Sequence, residues 1–260
     1  MNDDLKKYPF SKGILTVNTN SFDQFKELID SDYFKTKNQD FIYRGQGDAA
    51  WSTTSYLTRI ISEEGSVKYP DVLNYQLNNF KNSVKGRRGV NPEIYSNDIE
   101  WWALGQHYEL ATPMIDFTFS PYVATFFAFE EERRTENRAI LALNYKMLCE
   151  HYDFDKINEC NKIRVYRPIM DDNPRIIAQS GLLVYIPILK DMESIIESCF
   201  EKCNNFNVCE PVLIKFSVPD RDRKKALQLL QKMNITNSTI YPDLIGAARF
   251  CNMKLRINEY

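Results

Sequence analysis

The chain has 260 residues, of which 43% are hydrophobic and 13% aromatic, enough apolar material for one sizeable core. Lysine and arginine number 33 against 35 acidic residues, a net charge of -2 that excludes the strongly basic surface typical of dedicated nucleic-acid-binding domains. No apolar run reaches the roughly 18 residues needed to cross a bilayer, and the amino-terminal MNDDLKKYPF lacks the apolar centre of a secretory signal. We therefore expect a cytoplasmic, single-domain protein that makes no contact with membranes.

The first half of the chain is predicted to be mostly helical. A helix over 21–29 begins after a serine cap and repeats its apolar residues at helical spacing. A short strand over 41–44 follows, and the chain then reads as helical from 55 to 84. Another helix, over 97–110, begins with an asparagine that has a glutamate three residues later, as in a capping box.

The second half alternates strands with helices. Predicted strands cover 112–118, 139–145, 175–187 with an interruption at Ser180–Gly181, and 212–219; predicted helices cover 121–134, 191–203, 221–233 and the last segment after 239. Helices thus come first, followed by several strands with helices between them. This order predicts an α+β domain around a mixed or antiparallel central sheet with an N-terminal helical part.

Arg44 is the first candidate functional residue, because the predicted strand over 41–44 ends on it. Side chains alternate along a strand, so Ile42 and Arg44 share one face and the arginine lies at the rim of an apolar surface. A guanidinium in this position offers a rigid fork for a phosphate or a carboxylate. Gly45 leaves the neighbouring backbone open to such a ligand, and Gln46 follows it. The structural alternative is an ion pair between Arg44 and a carboxylate of the fold.

A second group of polar residues surrounds the strand predicted over 112–118. Asp116 and Thr118 are two positions apart on it and therefore share a face. The helix that begins directly afterwards presents free backbone N–H groups, which favour anions. His107 is one of two histidines in the chain and could act as a general base. The structural alternatives are that Asp116, Thr118 or Ser120 caps the helix and that His107 is a satisfied, partly buried side chain.

Gln179 is a third candidate. It lies in a predicted strand, four residues after Arg175 and directly before the Ser-Gly interruption. A glutamine in that place can face a cleft. The structural alternative is a hydrogen bond to a neighbouring loop.

The cysteines and the basic run do not indicate further sites. The cysteines at 199, 203 and 209 lack the spacing of a structural zinc site, and His151 does not complete one. We therefore predict no metal. The basic segment RDRKK (221–225) is expected to form a solvated face, with contact to RNA or a phosphate as the alternative. The Walker loop, HExxH, GxSxG and GxGxxG motifs are absent from the sequence.

Five segments resemble, in order, those of the FRG domain, a family named after its Phe/Tyr-Arg-Gly motif. They are FIYRGQ, Trp51 with SYLTR, ALGQHYELATPMIDFTFSPYVATFFAF, RIIAQSGLLVYIP and TIYPDLIGAA. The resemblance extends over about residues 20–250 and implies a single domain over 1–260. The chain departs from the family pattern where Leu182 or Leu183 replaces the usual aromatic residue. It also lacks one carboxylate in the last motif, which reads Asp243 to Gly246.

The order of elements also resembles that of ADP-ribosyltransferases of the Arg-Ser-Glu type. In that group an aromatic-Arg-Gly strand holds the phosphates of NAD, a Ser/Thr-bearing strand leads into an Ala- and Phe-rich helix, and a later strand carries the catalytic glutamate. Here the three places are taken by Arg44-Gly45, by Asp116 to Thr118, and by the strand around Gln179. The resemblance implies an ADP-ribosyltransferase-like fold and NAD as substrate.

The same resemblance implies roles for the individual residues. Cofactor binding would fall to Arg44, Gly45, Gln46, Thr118 and Ser120; catalysis would fall to Arg44, His107, Asp116 and Gln179. Gln179 carries no charge, whereas cleavage of NAD passes through an oxocarbenium-like centre that a carboxylate stabilises. Asp116 or another acid would then supply that charge.

Three functions remain open from the sequence. The first is an NAD- or nucleotide-using effector of the ADP-ribosyltransferase type, for example a toxin or a phage-defence protein, with a protein or nucleic acid as acceptor. The second is a nucleic-acid-cleaving effector that uses Arg44, His107 and Asp116 without NAD. The third is a non-catalytic module that senses a nucleotide or a protein partner. Neither the acceptor nor the oligomeric state follows from the sequence.

Overall fold

A mixed sheet of eight strands forms the centre of the described part of the chain. The computed structural model describes residues 3–37, 40–63, 71–89, 92, 95–151, 162–167, 174–202 and 210–257. The strands are β1 Phe10–Ser11, β2 Ile14–Asn18, β3 Phe41–Gln46, β4 Met114–Thr118, β5 Asn137–Asn144, β6 Arg164–Tyr166, β7 Gly181–Tyr185 and β8 Leu213–Pro219. Their order across the sheet is β1-β2-β8-β5-β3-β4-β7-β6. Only β2 and β8 pair in parallel, and the other neighbouring pairs are antiparallel.

Helices cover both faces of this sheet. They are α1 Asp3–Lys6, α2 Phe22–Ile29, α3 Asp32–Thr36, α4 Tyr56–Glu63, α5 Val72–Ser83, α6 Asp98–His107, α7 Pro121–Phe129, α8 Tyr145–His151, α9 Pro174–Ala178, α10 Met192–Lys202, α11 Arg223–Lys232, α12 Asn237–Ile240 and α13 Leu244–Ile257. One face packs against α2, α3, α7, α11 and α13, and the other against α8 and α10. The α+β class and the mixed sheet predicted from the sequence are confirmed. None of the helices in the described part has the length and apolar composition of a membrane span.

The central strand β3 shows why its sequence folds as predicted. Phe41 and Tyr43 point into the core under α2, α3 and α7, whereas Ile42 points into the core on the opposite face. All three are almost completely buried, as expected for a strand covered on both sides. The prediction that Arg44 shares a face with Ile42 follows from the same alternation.

The start of the chain corrects one prediction. Two strands, β1 and β2, precede the helices that were expected to come first. Within β2, Leu15 and Val17 are fully buried while Thr16 and Asn18 are exposed. This period of two is visible in the sequence GILTVN, and it marks a strand with one covered face.

The segment over 175–187 corrects a second prediction, since only its second half is a strand. Pro174 opens the short helix α9, in agreement with the preference of proline for the first helical turn. Ser180 follows the helix in the left-handed region at φ 47°, a conformation that commonly ends helices. Strand β7 begins only at Gly181. Gln179 therefore lies in a turn rather than on a strand.

Candidate functional site

A cleft opens where β3 and β4 separate. The two strands face each other at a single pair, Tyr43 and Thr118. Beyond that pair β3 continues along β5 to Gln46, whereas β4 follows β7 back to Met114. A cavity of about 730 Å³ is lined by residues from both diverging strands. The opening therefore results from the divergence of the two strands.

Most of the predicted site residues line this one cavity. They are Arg44, Gly45, Gln46, His107, Asp116, Thr118 and Gln179. Segments that are distant along the chain thus meet in one place, as the sequence hypothesis required. Ser120 is not among the lining residues.

Arg44 spans the gap between the two strands. Its Nη1 donates to the main-chain oxygen of Asp116 at 2.8 Å, so the contact is not a structural ion pair with a carboxylate. Its Nε is buried without a hydrogen-bond partner. Burial lowers the pKa of Arg44, the nearby charge of Asp116 raises it, and the charge of Arg59 lowers it. An arginine remains protonated under these conditions, so an anion that enters the cleft would compensate two neighbouring cations.

The carboxylate of Asp116 is exposed to the cleft and held from the side by α6. Gln106 Nε2 donates to Asp116 Oδ2 at 2.9 Å, and Gln106 Oε1 accepts a hydrogen bond from the hydroxyl of Thr112. These bonds fix which way the amide of Gln106 points and thereby orient the carboxylate. The sequence analysis did not identify Gln106, although it lies beside His107 in the family motif.

His107 and Gln179 form part of the rim. His107 is the last residue of α6, is half-buried, and packs edge-on against the ring of Tyr108 with centroids 4.8 Å apart. Gln179 donates from Nε2 to the main-chain oxygen of Ile240 at 3.3 Å. This is the loop contact that the sequence analysis named as the structural alternative. Gln179 therefore links α9 to α12 and does not offer a charge to the cavity.

Thr118 and Ser120 make hydrogen bonds that support the fold, as the structural alternative for these residues expected, and their role in cofactor binding stays a prediction. The hydroxyl of Thr118 donates to the main-chain oxygen of Gln179 at 2.6 Å and accepts from the N–H of Ser120 at 3.0 Å. Ser120 caps α7 and accepts from the N–H of Val123 at 3.2 Å. Both side chains are thus engaged in holding the turn between β4 and α7.

The cap at Ser120 gives a testable prediction. Ser120→Ala should lower the free energy of unfolding by about 1 kcal/mol, because one backbone N–H of α7 loses its acceptor. Urea denaturation measures the change. The matched control is Ser31→Ala at the start of α3, where the serine side chain makes no capping hydrogen bond. Equal losses in both variants would contradict the assignment.

Gly45 lines the cavity, but the position that a Cβ atom would take faces α7. A Cβ atom at this position would lie 1.9 Å from the main-chain oxygen of Ala124 and 2.5 Å from the nitrogen of Ala128. The absence of a side chain at Gly45 therefore allows α7 to lie directly against β3. Gln46, the next residue, is buried and donates from Nε2 to Thr53 Oγ1 at 3.5 Å.

The structure adds a carboxylate, Glu130, that the sequence analysis missed. It follows directly after α7, lines the cavity, and accepts hydrogen bonds from the hydroxyl of Tyr241 at 3.1 and 3.0 Å. Burial raises the pKa of Glu130 to about 7, with a smaller contribution from the charge of Glu131. The acidic run EEE was read as a continuation of the helix, so its first member was not considered.

Two arginines hold the end of α7 on which Glu130 lies. Arg138 is fully buried, donates from Nη1 to Ala128 O at 3.1 Å and pairs with Asp220 at 2.6 Å. Arg223 donates to Phe129 O at 2.7 Å and to Glu130 O at 2.8 Å. The carbonyl groups that a helix leaves unpaired at its end are thus bonded to guanidinium groups. Arg223 belongs to the run RDRKK, and its half-buried capping role corrects the expectation that this run only faces solvent.

Positive side chains outnumber carboxylates around the cavity. Among the described lining residues there are five arginines and three carboxylates: Arg44, Arg59, Arg133, Arg138 and Arg175 against Asp116, Glu130 and Glu131. Trp51 adds an exposed aromatic surface at the mouth, with the guanidinium of Arg133 4.9 Å from the ring centre. Three of these arginines pair with carboxylates: Arg133 with Glu131, Arg138 with Asp220 and Arg175 with Asp243. Arg44 and Arg59 are therefore the lining arginines that we expect to attract an anionic ligand.

The described residues contain no group of three or more His, Cys, Asp or Glu side chains that could hold a metal ion. Cys199 is buried and Cys251 is exposed. The side chains of the cysteines at 149, 160, 203 and 209 lie outside the described residues.

Comparison with known families supports the reading of the motifs. The family model described as FRG domain matches residues 39–137. This segment runs from β3 through α7 into β5, so it contains both strands that border the cleft. No curated protein and no solved structure matches the chain significantly. The family resemblance inferred from the motifs is confirmed over this part of the sequence, where residues 39–137 match the FRG domain.

Proposed function

We propose that this protein is an enzyme of the ADP-ribosyltransferase type, which binds NAD or a related nucleotide in the cleft and breaks its glycosidic bond. One observation carries the proposal. The guanidinium of Arg44 lies in the gap between β3 and β4 with a buried, unpartnered Nε, close to the charges of Asp116 and Arg59. A buried cation with an unused donor beside a second cation is a receptor for an anion.

The size of the cleft and the residues that line it support the proposal that the anion bound by Arg44 is a nucleotide. A cavity of about 730 Å³ lies within the range of about 300–1,000 Å³ that small-molecule sites occupy. A pyrophosphate would be attracted by Arg44 and by the neighbouring charge of Arg59. Trp51 and Tyr241, which both line the cavity, offer flat apolar surfaces for the ring systems of a dinucleotide.

Asp116 supports the chemical part of the proposal. In NAD the bond to be broken joins the ribose C1′ to the pyridinium nitrogen. The nicotinamide leaves as a neutral molecule with the bonding electron pair, and positive charge develops on the ribose. A preorganised carboxylate stabilises such a charge, and Asp116 is exposed to the cavity and oriented by Gln106. Gln179 is neutral and bonded to Ile240, so Asp116 replaces it as the proposed source of charge.

The first test measures binding and turnover of NAD by the purified protein. We expect heat on titration with NAD and release of nicotinamide, with or without cell lysate as a source of acceptor. No heat and no nicotinamide would refute the proposal. Loss of RNA or DNA in the same incubation without NAD would instead favour the nucleic-acid-cleaving alternative.

Asp116→Asn tests the role of the carboxylate. The variant keeps the shape of the side chain but removes its charge, so we expect kcat to fall by about 100-fold or more. Its melting temperature should change little because the side chain is exposed. The control is Asp98→Asn, an exposed residue at the opposite end of α6 that pairs with Lys81. Full activity of Asp116→Asn would remove Asp116 from the mechanism.

The wider biological assignments stay predictions from the sequence. They are a cytoplasmic location, a role as toxin or phage-defence effector, and a protein or nucleic acid as acceptor. Lysate that increases or redirects the nicotinamide-releasing reaction would indicate a macromolecular acceptor.

A further inference from the structure

Glu130 lies in the cleft, and hydrogen bonds hold both its main-chain oxygen and its carboxylate. Its main-chain oxygen accepts from Arg223, and the preceding carbonyl groups of α7 are held by Arg223 and Arg138. Its carboxylate accepts from the hydroxyl of Tyr241. A side chain that is held in this way keeps its geometry while it gains or loses a proton, as a catalytic group must.

The Glu130 carboxylate can accept further hydrogen bonds besides the one from the Tyr241 hydroxyl. An ionised carboxylate offers about four lone-pair sites, and one hydroxyl can supply only one proton to them. Burial and the neighbouring Glu130 raise the pKa of Tyr241, so its hydroxyl remains a donor at neutral pH. Glu130 lines the cavity, so its remaining lone pairs can accept a proton from a bound molecule.

Charged groups on several elements act on Glu130. Burial and, to a smaller extent, the charge of Glu131 favour the neutral form of Glu130. The hydrogen bond from Tyr241 favours the charged form, and so do the charges of Arg249 on α13 and of Arg133, which lies three residues after Glu130. The balance raises the pKa of Glu130 to about 7. A general base with a pKa near the working pH is both available and basic enough to be effective.

We propose that Glu130 is the general base of the cleft, which accepts the proton of the attacking nucleophile, and that Tyr241 positions it. This inference rests on the proposed function and names a second carboxylate for it beside Asp116. The oxygen of water or of an acceptor hydroxyl forms a bond to the ribose C1′ as the bond to nicotinamide breaks. The nucleophile's proton passes to Glu130 and then to solvent, and no further reactant is needed.

Glu130→Gln is the decisive variant. It should bind NAD with an affinity within about threefold of the wild type, while kcat falls by about 100- to 10,000-fold, the usual contribution of a general base. The wild-type rate should rise with pH through an apparent pKa near 7, and this rise should be absent from the residual activity of the variant. Glu27→Gln is the control, since Glu27 is exposed on α2 and does not line the cavity.

Tyr241→Phe tests whether Tyr241 positions Glu130, because the expected shift of the pH-rate profile has a definite direction. The lost hydrogen bond had favoured the charged carboxylate, so the pKa of Glu130 should rise and the pH-rate profile should move to higher pH. Tyr122→Phe is a matched control, because Tyr122 also donates to a carboxylate, that of Asp30 at 2.5 Å, but does not line the cavity. Its profile should coincide with the wild type. A Tyr241→Phe profile that does not move, or moves to lower pH, would remove the positioning role.

A stability measurement tests the state of Glu130 without NAD. Because the folded pKa lies above the ordinary value of 4.5, the neutral group stabilises the fold at low pH, and that stability is lost as pH rises through about 7. As the pH rises from 4.5 to about 7, the melting temperature of the wild type should therefore fall relative to that of Glu130→Gln. A constant difference would contradict the raised pKa and overturn the proposal.

Failure of this inference and failure of the proposed function give different results. A wild type that releases nicotinamide, together with a Glu130→Gln variant of similar kcat, would overturn only the role of Glu130. A wild type that neither binds nor cleaves NAD would overturn both.

Discussion

Arg44→Ala is expected to weaken NAD binding by at least about 30-fold, which corresponds to about 2 kcal/mol for hydrogen bonds to a charged group. The reason is that Arg44 reaches into the gap between β3 and β4 with one donor on Asp116 O and another, Nε, unused. Titration calorimetry with NAD measures the loss. The alternative explanation, a collapsed cleft, is tested by the melting temperature of the same variant.

Two further variants test whether the loss of NAD affinity is specific to the guanidinium of Arg44. Arg44→Lys keeps the charge but cannot bridge the strands and bind a phosphate at once, so its affinity should lie between those of alanine and the wild type. Arg256→Ala removes an exposed arginine that pairs with Glu132 and should leave affinity unchanged. If Arg44→Ala binds NAD as tightly as the wild type, the cleft does not use this guanidinium.

Gly45→Ala should lower the free energy of unfolding by about 3 kcal/mol, at the upper end of the usual cost of overpacking. The added methyl group would meet main-chain atoms of Ala124 and Ala128 at 1.9 and 2.5 Å. Main-chain atoms cannot move aside by changing a rotamer, so α7 itself would have to shift. Urea denaturation, read by circular dichroism, measures the difference.

Gly181→Ala is the control for this prediction. Gly181 also lies on a strand, but its nearest atom to a new Cβ is Ile176 O at 3.5 Å, an ordinary contact. The substitution should be neutral or slightly stabilising, because alanine restricts the unfolded chain. If Gly45→Ala left stability unchanged but abolished NAD binding, Gly45 would serve the ligand as first predicted, and the packing explanation would be wrong.

Local signals in the sequence were sufficient for many elements. Ser21, Asn97 and Ser120 each cap a helix with a side-chain acceptor, because capping depends on residues only two or three positions away. The alternation in FIYR placed Phe41 and Tyr43 in one core and Ile42 in another. The same kind of local pattern failed at 175–178, where a proline before the segment started a helix.

The sequence by itself determined the α+β class, the FRG motifs and the three chain segments that carry Arg44, Asp116 and Gln179, since these depend on short-range patterns. Only the tertiary structure decided that β3 and β4 diverge after one residue pair, which creates the cleft. It also decided that Gly45 faces α7 and that Glu130 meets Tyr241, 111 positions away. Contacts of this kind depend on the register of strands and the docking of helices, which no local pattern encodes.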